Sequence, residues 1–429
     1  MQPLSPTLAV TGHWDRPFVA TEGGVATLLL NIVTPASIQK SDRLPVDVAF
    51  VLDRSGSMAG DKLPLAKQAI LSAVTRLTDR DRIALVVYDN EVDTLLPLMP
   101  ATAGTQQALR SVLAMVDARG STNLSGGWLQ GCGQLAGSVG DEAAGVSTER
   151  VHRVILLTDG QANQGIVDPD ELATHAQELR RRGITTTTLG VGVDFDGPFL
   201  SQLAEAGGGN FAFIEHPGQL AAFFAQELDE LVSIGARGVS VAITVPTGAT
   251  LDLLNNYPAE TGAGTTHVAV GDLPEASEVE LVARLTFAGT ATGTAHEIAV
   301  RATWRDIDGT HHEHAVPVAP MIAAPAVEVY AAATDETVME AAAIQGAAQL
   351  RRQAARSAQR HDYGAVFAAQ QQIGVMLKAA PLSPRVLDEQ ADHVRYSPVV
   401  DEPMASSDVL RMAERGFATG RRRQPRREQ

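Results

Sequence analysis

Asp53-Arg54-Ser55-Gly56-Ser57-Met58 places a carboxylate and two hydroxyls at alternating positions, directly after the apolar run Val46 to Leu52. An acid with two neutral hydroxyl oxygens is a hard oxygen set, the donor type taken by Mg²⁺ or another hard divalent cation. Gly56, between the hydroxyls, permits a tight turn. A branched apolar run that ends in a carboxylate is how a buried parallel strand delivers a functional group to its carboxyl end. The same residue types also serve as ordinary turns and helix caps, so the string needs partners elsewhere in the chain.

Two later strings supply them. Gly120-Ser121-Thr122-Asn123-Leu124 falls between two helical patterns, and Val154-Ile155-Leu156-Leu157-Thr158-Asp159-Gly160 is a second buried-strand run ending in an acid. In order and rough spacing the three strings resemble the von Willebrand factor A domain, over about residues 44 to 235. Together they resemble its metal-ion-dependent adhesion site: Asp-x-Ser-x-Ser, then a Thr, then an Asp. Asp53, Ser55, Ser57, Thr122 and Asp159 fill every position. Ser121 stands where relatives often carry Gly, which leaves the ligand set intact. The resemblance implies that Ser55, Ser57 and Thr122 ligate Mg²⁺ (or Mn²⁺ or Ca²⁺) directly, with Asp53 and Asp159 acting mainly through water. With few direct carboxylates the metal charge is only partly neutralised, so the family's logic assigns the remaining position to an Asp or Glu of a partner protein.

These residues need a rigid frame. From Val46 the pattern alternates strand and helix. Ile83 to Tyr88, Ile184 to Val191 and Asn210 to Ile214 read as further strands. Leu63, Ala66, Ile70, Ala73, Val74 and Leu77 hold a helical period, and Asp168-Pro169 opens another helix. That alternation predicts an α/β fold with a doubly wound parallel sheet at residues 44–235. Residues 7 to 34 read as strands, and at Gly235 the period switches back to strand, as in Val239, Val241, Ile243 and Val245. Residues 1–43 and 236–325 are therefore expected to form one β-sandwich into which the α/β domain is inserted. The resemblance extends to this arrangement, which relatives of inter-alpha-trypsin-inhibitor heavy chains and bacterial A-domain proteins share. A C-terminal α-helical segment is expected to follow, with residues 326–380 as a helical hairpin broken near His361 to Gly364. Residues 381–429 are expected to be a mostly irregular tail with a short helix around Ser407 to Arg415 and a solvated basic end.

Composition limits the function classes. A net charge of −16 argues against nucleic acid and anionic membrane as main partners. No stretch reaches the ~20 apolar residues of a membrane helix. The single cysteine, Cys132, allows no disulfide within the chain, and the first residues lack the pattern of a signal peptide, so a cytoplasmic location is expected.

Other strings carry less. Asp194 and Asp196 are too few acids for a cage and read as helix capping. His311-His312-Glu313-His314 puts His312 and His314 on one strand face, beside a hairpin at Asp308-Gly309, and reads as exposed strand histidines. Gly190-Val191-Gly192 lacks the spacing of a phosphate loop. No Gly-x-Ser-x-Gly is present and no His lies near Ser55 in sequence, so no enzymatic chemistry is expected. The expected function is a non-enzymatic, metal-dependent protein-binding module of bacterial style. The alternative is an adaptor subunit of an ATPase-driven chaperone or chelatase-type complex, although no nucleotide motif appears.

Overall fold

Ala26-Thr27-Leu28-Leu29-Leu30-Asn31-Ile32 is apolar at odd and even positions alike, so a strand made from it needs cover on both faces. The computed structural model describes residues 8–36, 43–143, 150–395, 405–421 and 423–425. They divide into two units: one within residues 1–41, 234–404 and 415–429, the other within 42–233 and 405–414. The first unit begins with β1 (Ala9–Trp14), β2 (Phe18–Ala20) and β3 (Gly23–Val33), and β1 pairs antiparallel with β3.

The second unit is α/β. Its strands are β4 (Val46–Asp53), β5 (Arg82–Tyr88), β6 (Val92–Pro100), β7 (Val151–Thr158), β8 (Ile184–Val191) and β9 (Gly208–Ile214). They form one six-stranded sheet in the order β6-β5-β4-β7-β8-β9, parallel except for the β5–β6 hairpin. Every residue of β4 and β7 is buried, which is why both runs are nearly continuous in apolar residues. The helices are α1 (Lys62–Val74), α2 (Ala103–Ala114), α3 (Leu124–Ala143), α4 (Pro169–Arg181), α5 (Gly197–Gly207) and α6 (Leu220–Val232). α3 lies close on the sheet because Gly127 and Gly131 leave no room for a Cβ beside Tyr88 and Val51. The chain passes from β4 to β5 on one side and from β7 to β8 on the other. The strand order therefore reverses between β4 and β7, and the crevice outside their carboxyl ends is where such sheets bind ligands.

β6 departs from the expected all-parallel sheet. Pro97 and Pro100 interrupt its pattern, since proline cannot donate to a ladder. The strand tolerates them because it lies at the sheet edge and pairs with irregular register opposite Ile83 to Val86.

The first unit resumes with β10 (Ile234–Thr244), β11 (Ala249–Leu253), β12 (Ala259–Gly262), β13 (Thr265–Pro274) and β14 (Ser277–Ala288). It continues with β15 (Ala295–His296), β16 (Ala299–Arg305), β17 (His311–Val316) and β18 (Met321–Ala324). β3 pairs with β14 from Gly23↔Ala288 to Val33↔Glu278. One sheet runs β1-β3-β14-β11, with residues 423–425 also on β14; a second runs β12-β13-β10-β16-β17; a small third runs β15-β18-β2. Leu28, Leu30, Ile32, Leu281 and Leu285 of the first sheet share a core with Val241, Ile243, Val268 and Val300 of the second. The chain leaves this unit after Thr34, whose hydroxyl donates to the Pro274 carbonyl at 2.6 Å, and it returns at Ile234, the register partner of Pro274.

Five helices follow: α7 (Ala326–Ala331), α8 (Glu336–Gln359), α9 (Tyr363–Ala379), α10 (Pro384–Arg395) and α11 (Ser406–Gly420). Leu29 and Val282, on the far face of the first sheet, pack against Val338 and Ala341 of α8. β3 is thus covered on both sides.

Residues 381–429 are not mostly irregular: α10 and α11 occupy much of the stretch. α10 buries Val386 and α11 buries Leu410, Met412, Ala413 and Phe417, and α11 contains the short helix expected around Ser407 to Arg415; polar contacts, which a hydropathy pattern does not register, add to these. Glu389, without exposed surface, pairs with Arg351 and with Arg415. Buried Arg352, Gln345 and Asn255 donate to the carbonyls of Gly416, Thr419 and Gly420 at 2.7, 3.0 and 3.0 Å, satisfying the end of α11. Arg421, the first residue of the basic end, is buried, with its guanidinium 5.4 and 5.3 Å from the ring centres of Tyr257 and Phe417. Residues 422 and 426–429 lie outside the described residues. Among the described residues no helix is long and apolar enough to cross a membrane.

β4 is pinned at its start as well as its end. Asp47, fully buried, accepts from Arg82 Nε at 2.9 Å and Arg150 Nε at 2.7 Å. Burial alone would raise its pKa, but His152, Arg82 and Arg150 outweigh that and hold the carboxyl far below the usual range. A depressed acid stabilises the fold above its unfolded pKa of ~3.9, and that contribution is lost as pH falls toward its folded pKa. Asp47→Asn should cost about 2–4 kcal/mol in urea unfolding at pH 7. The gap from wild type should narrow steadily below about pH 4; an equal gap at pH 7 and pH 3 would contradict the assignment.

Candidate metal centre

The carboxyl ends of β4 and β7 bring Asp53 and Asp159 together, each with no exposed surface. Every oxygen of this acid pair has a partner. Asp53 Oδ1 accepts the Ser55 N–H at 2.7 Å, and Oδ2 accepts the Thr158 hydroxyl at 2.6 Å. Asp159 Oδ1 accepts the Ser57 hydroxyl at 2.6 Å, and Oδ2 accepts Lys62 Nζ at 2.5 Å. Ser55 Oγ lies 3.1 Å from Ser57 Oγ. Because Ser57 spends its proton on Asp159, the proton of that contact comes from Ser55, and Ser57 keeps lone pairs for a further cation.

Thr122 arrives from the loop before α3. Arg119 N–H donates to the Arg54 carbonyl at 2.7 Å, and Gly56 N–H to the Gly120 carbonyl at 3.1 Å, so two backbone bonds join the Thr122 loop to the serine loop. From the other side Asn163 clasps Thr122, its side chain accepting the Thr122 N–H at 3.0 Å and its own N–H reaching the Thr122 carbonyl at 3.2 Å. Ser121, the departure from the family pattern, accepts from Gln164 Nε2 at 2.8 Å. It ties the same two loops and stays out of the donor set. Gly160 stands between the hydroxyls: a Cβ there would lie 3.5 Å from Ser57 Oγ and 3.6 Å from Thr122 Oγ1. Four of the five sequence-derived residues are thus linked by hydrogen bonds, and Thr122 faces them across Gly160.

Burial pushes the Asp53 carboxyl up to about 6; hydrogen bonds from Thr158 and Ser55 oppose the rise, and the Asp159 charge adds to it. Beneath it the buried Tyr88 phenol is held well above its ordinary range, by burial first and then by the Asp53 charge. Two adjoining buried acids with hydroxyls on their outer side form a site short of positive charge and rich in hard oxygens, which fits Mg²⁺, Mn²⁺ or Ca²⁺. Ser57 is exposed, so the site opens to solvent. Asp53, with both oxygens engaged by the protein, fits an indirect role; Ser55, Ser57 and Thr122 supply neutral oxygens. Among the described residues no group of three or more His, Cys, Asp or Glu is placed to hold a metal ion, so this centre differs from an acid or histidine cage in combining two acids with hydroxyls.

The capping alternative for the serines does not hold, since Ser55 makes no side-chain cap bond. Three residues of this centre were not anticipated: Thr158, Lys62 and Asn163. Thr158 had a visible signal as a hydroxyl at a strand end beside the acid, whereas Lys62 and Asn163 depend on loop geometry. Of the other strings, Asp196 caps α5 through the Phe199 N–H at 2.9 Å. His312 stacks on Trp304, with centroids 5.2 Å apart, and lies 3.0 Å from Asp306. Cys132 is a buried free thiol.

Residues 47–226 match the von Willebrand factor type A domain. YfbK of Escherichia coli K12, an uncharacterized protein, is 30% identical over 219 residues, or 50% of this chain and 36% of YfbK. Human inter-alpha-trypsin inhibitor heavy chain H4 is 32% identical over 167 residues, or 39% of this chain and 18% of that one. The chain thus spans well under two thirds of either relative. A solved von Willebrand factor type A protein from Catenulispora acidiphila has the same fold, with a TM-score of 0.72 at 17% identity over 98% of both chains.

The acid pair carries a cost in the absence of a divalent cation. Asp53→Asn keeps an acceptor for Ser55 N–H and removes one buried charge. In EDTA at pH 7.5 it should unfold about 1 kcal/mol harder than wild type, as read by urea titration. A variant weaker than wild type would show that the Asp53 charge stabilises the fold.

Proposed function

Since residues 47–226 form a von Willebrand factor type A domain, we propose that the chain is a non-enzymatic protein-interaction module. Asp53, Ser55, Ser57, Thr122 and Asp159 bind Mg²⁺, or Mn²⁺ or Ca²⁺ in its place, and the metal receives an Asp or Glu of a partner protein. The observation that supports this reading is the hydrogen-bonded cluster of the two buried acids with Ser55 and Ser57, and Thr122 across Gly160 from Ser57, at the point where the strand order reverses. Neutral oxygens dominate the donors nearest the ion, so its charge stays available to an outside carboxylate. Arg54 and Arg119, paired with Asp89 beside the site, keep that acid's charge from adding to the centre. The residues around β3 and β14 are read as a β-sandwich interrupted by this domain. The single, buried Cys132 suits a reducing compartment, and the cytoplasm is the proposed location.

Calorimetry of the full chain with Mg²⁺ tests the site. Wild type should bind with modest affinity, and Asp53→Ala should not bind. Gly160→Ala is the sharper probe, because its methyl meets only ordinary contacts at 3.5 and 3.6 Å yet sits among the donors. It should melt like wild type and lose at least about tenfold in Mg²⁺ affinity. Unchanged binding in both variants would refute the metal assignment. For the partner, a Glu-containing peptide retained in Mg²⁺ should be released by EDTA; retention in EDTA would separate peptide binding from the metal.

A further inference from the structure

Lys62 stands where its helix does not favour a cation. It is the first residue of α1, the positive end of the helix dipole, and the first turn holds no acid. Asp61, at the N-cap, makes no side-chain cap bond to relieve that end. The lysine nevertheless crosses to the strand ends, where Nζ meets Asp159 Oδ2 at 2.5 Å. A track is built for it. Gly192, just past β8, has φ +81°, and its missing side chain would lie 3.4 Å from both Cε and Nζ of Lys62. Asp159 itself is buried while Lys62 is 25% exposed, so the ammonium closes over the acid from the solvent side.

We propose that Lys62 is the centre's own counter-ion, which competes with the divalent metal for Asp159 and thereby sets the metal affinity. The inference rests on the metal reading above. Asp159 holds Ser57 with one oxygen and Lys62 with the other. A divalent ion held by Ser57 and reached by Asp159 must therefore share the acid with an ammonium of like charge. Two cations so close repel strongly in a half-buried site. Binding the metal weakens the Lys62–Asp159 pair, and the ammonium, released toward solvent, is left beside the ion at the face where a partner carboxylate arrives. Lys62 thus lowers affinity for the metal alone and adds a second cation for the carboxylate that completes its shell.

The test uses the full chain with Lys62→Met, Lys62→Gln and Lys62→Arg, titrated with Mg²⁺ at low salt and melted in EDTA. Both neutral variants should bind Mg²⁺ about tenfold tighter than wild type. They should melt lower in EDTA, because the acid pair loses its ammonium, and Mg²⁺ should raise their melting temperature more than that of wild type. Lys62→Arg keeps the charge and should stay within about threefold of wild type. If one neutral variant does not fold, the other carries the comparison. Neutral variants that bind Mg²⁺ no tighter than wild type overturn the inference. If wild-type binding is abolished by Asp53→Ala but unmoved by Lys62→Met, only the role of Lys62 fails. If Mg²⁺ binds wild type and Asp53→Ala alike, or binds no variant, the metal centre itself fails and this role with it. Binding that appears only in the neutral variants supports the competition.

Discussion

Two carboxylates without exposed surface, at the ends of neighbouring strands, are the constraint around which the α/β unit is arranged. Burying one unpaired charge is costly, and burying two side by side more so. The local structure answers with donors from different parts of the chain. The Ser55 N–H and Thr158 hydroxyl serve Asp53, and the Ser57 hydroxyl and Lys62 ammonium serve Asp159. This explains why the serine loop turns back on its strand and why Thr158 rather than an apolar residue ends β7. It also explains why Lys62 is tolerated at the wrong end of a helix. The Ser57 and Thr158 hydroxyls are held by the acids they face, so hard oxygens gather at the strand ends as a by-product of satisfying buried charge.

The frame that delivers these groups is equally determined. β4 is buried along its length and fixed at both ends, by the Asp47 ion pairs at its start and the Asp53 bonds at its finish. The parallel neighbours β5 and β7 hold it laterally, and the glycine face of α3 closes on it without a gap. A strand so restrained aims its last residue accurately, which a site made of single atoms from distant loops requires.

The parts legible in the sequence are those written in hydropathy and in motif. Buried strands ending in acids are visible as apolar runs, and Asp53, Ser55, Ser57, Thr122 and Asp159 stand at readable spacing. β3 announces its need for two covers through Leu28, Leu29 and Leu30. The illegible parts share a different physics. β6 is hidden by Pro97 and Pro100, which only an edge position makes acceptable. α11 is partly legible, as the short helix expected around Ser407 to Arg415, whereas α10 is hidden because its buried Glu389 is held by Arg351 and Arg415, and charged side chains read as surface when seen in one dimension. Lys62 and Asn163 are invisible for a third reason: their importance depends on where a loop turns, and neither residue type in isolation implies a site.

Thr34 and Ile234 meet at Pro274, one through its hydroxyl and the other through strand register. During synthesis this has a temporal consequence. β3 is made early, with one apolar face carrying Leu28, Leu30 and Ile32 and the other carrying Leu29. Its partner β14 emerges only after the whole α/β unit has been translated. Until then the strand has β1 on one edge only and no cover, and its open edge is the kind that recruits other chains. If the intervening stretch stayed unfolded, joining its ends would cost on the order of 5 kcal/mol of chain entropy. A middle stretch that folds first lowers that cost. The nascent chain is therefore best served by completing its middle first, and a slow or defective α/β unit would show itself as aggregation of the N-terminal strands outside it.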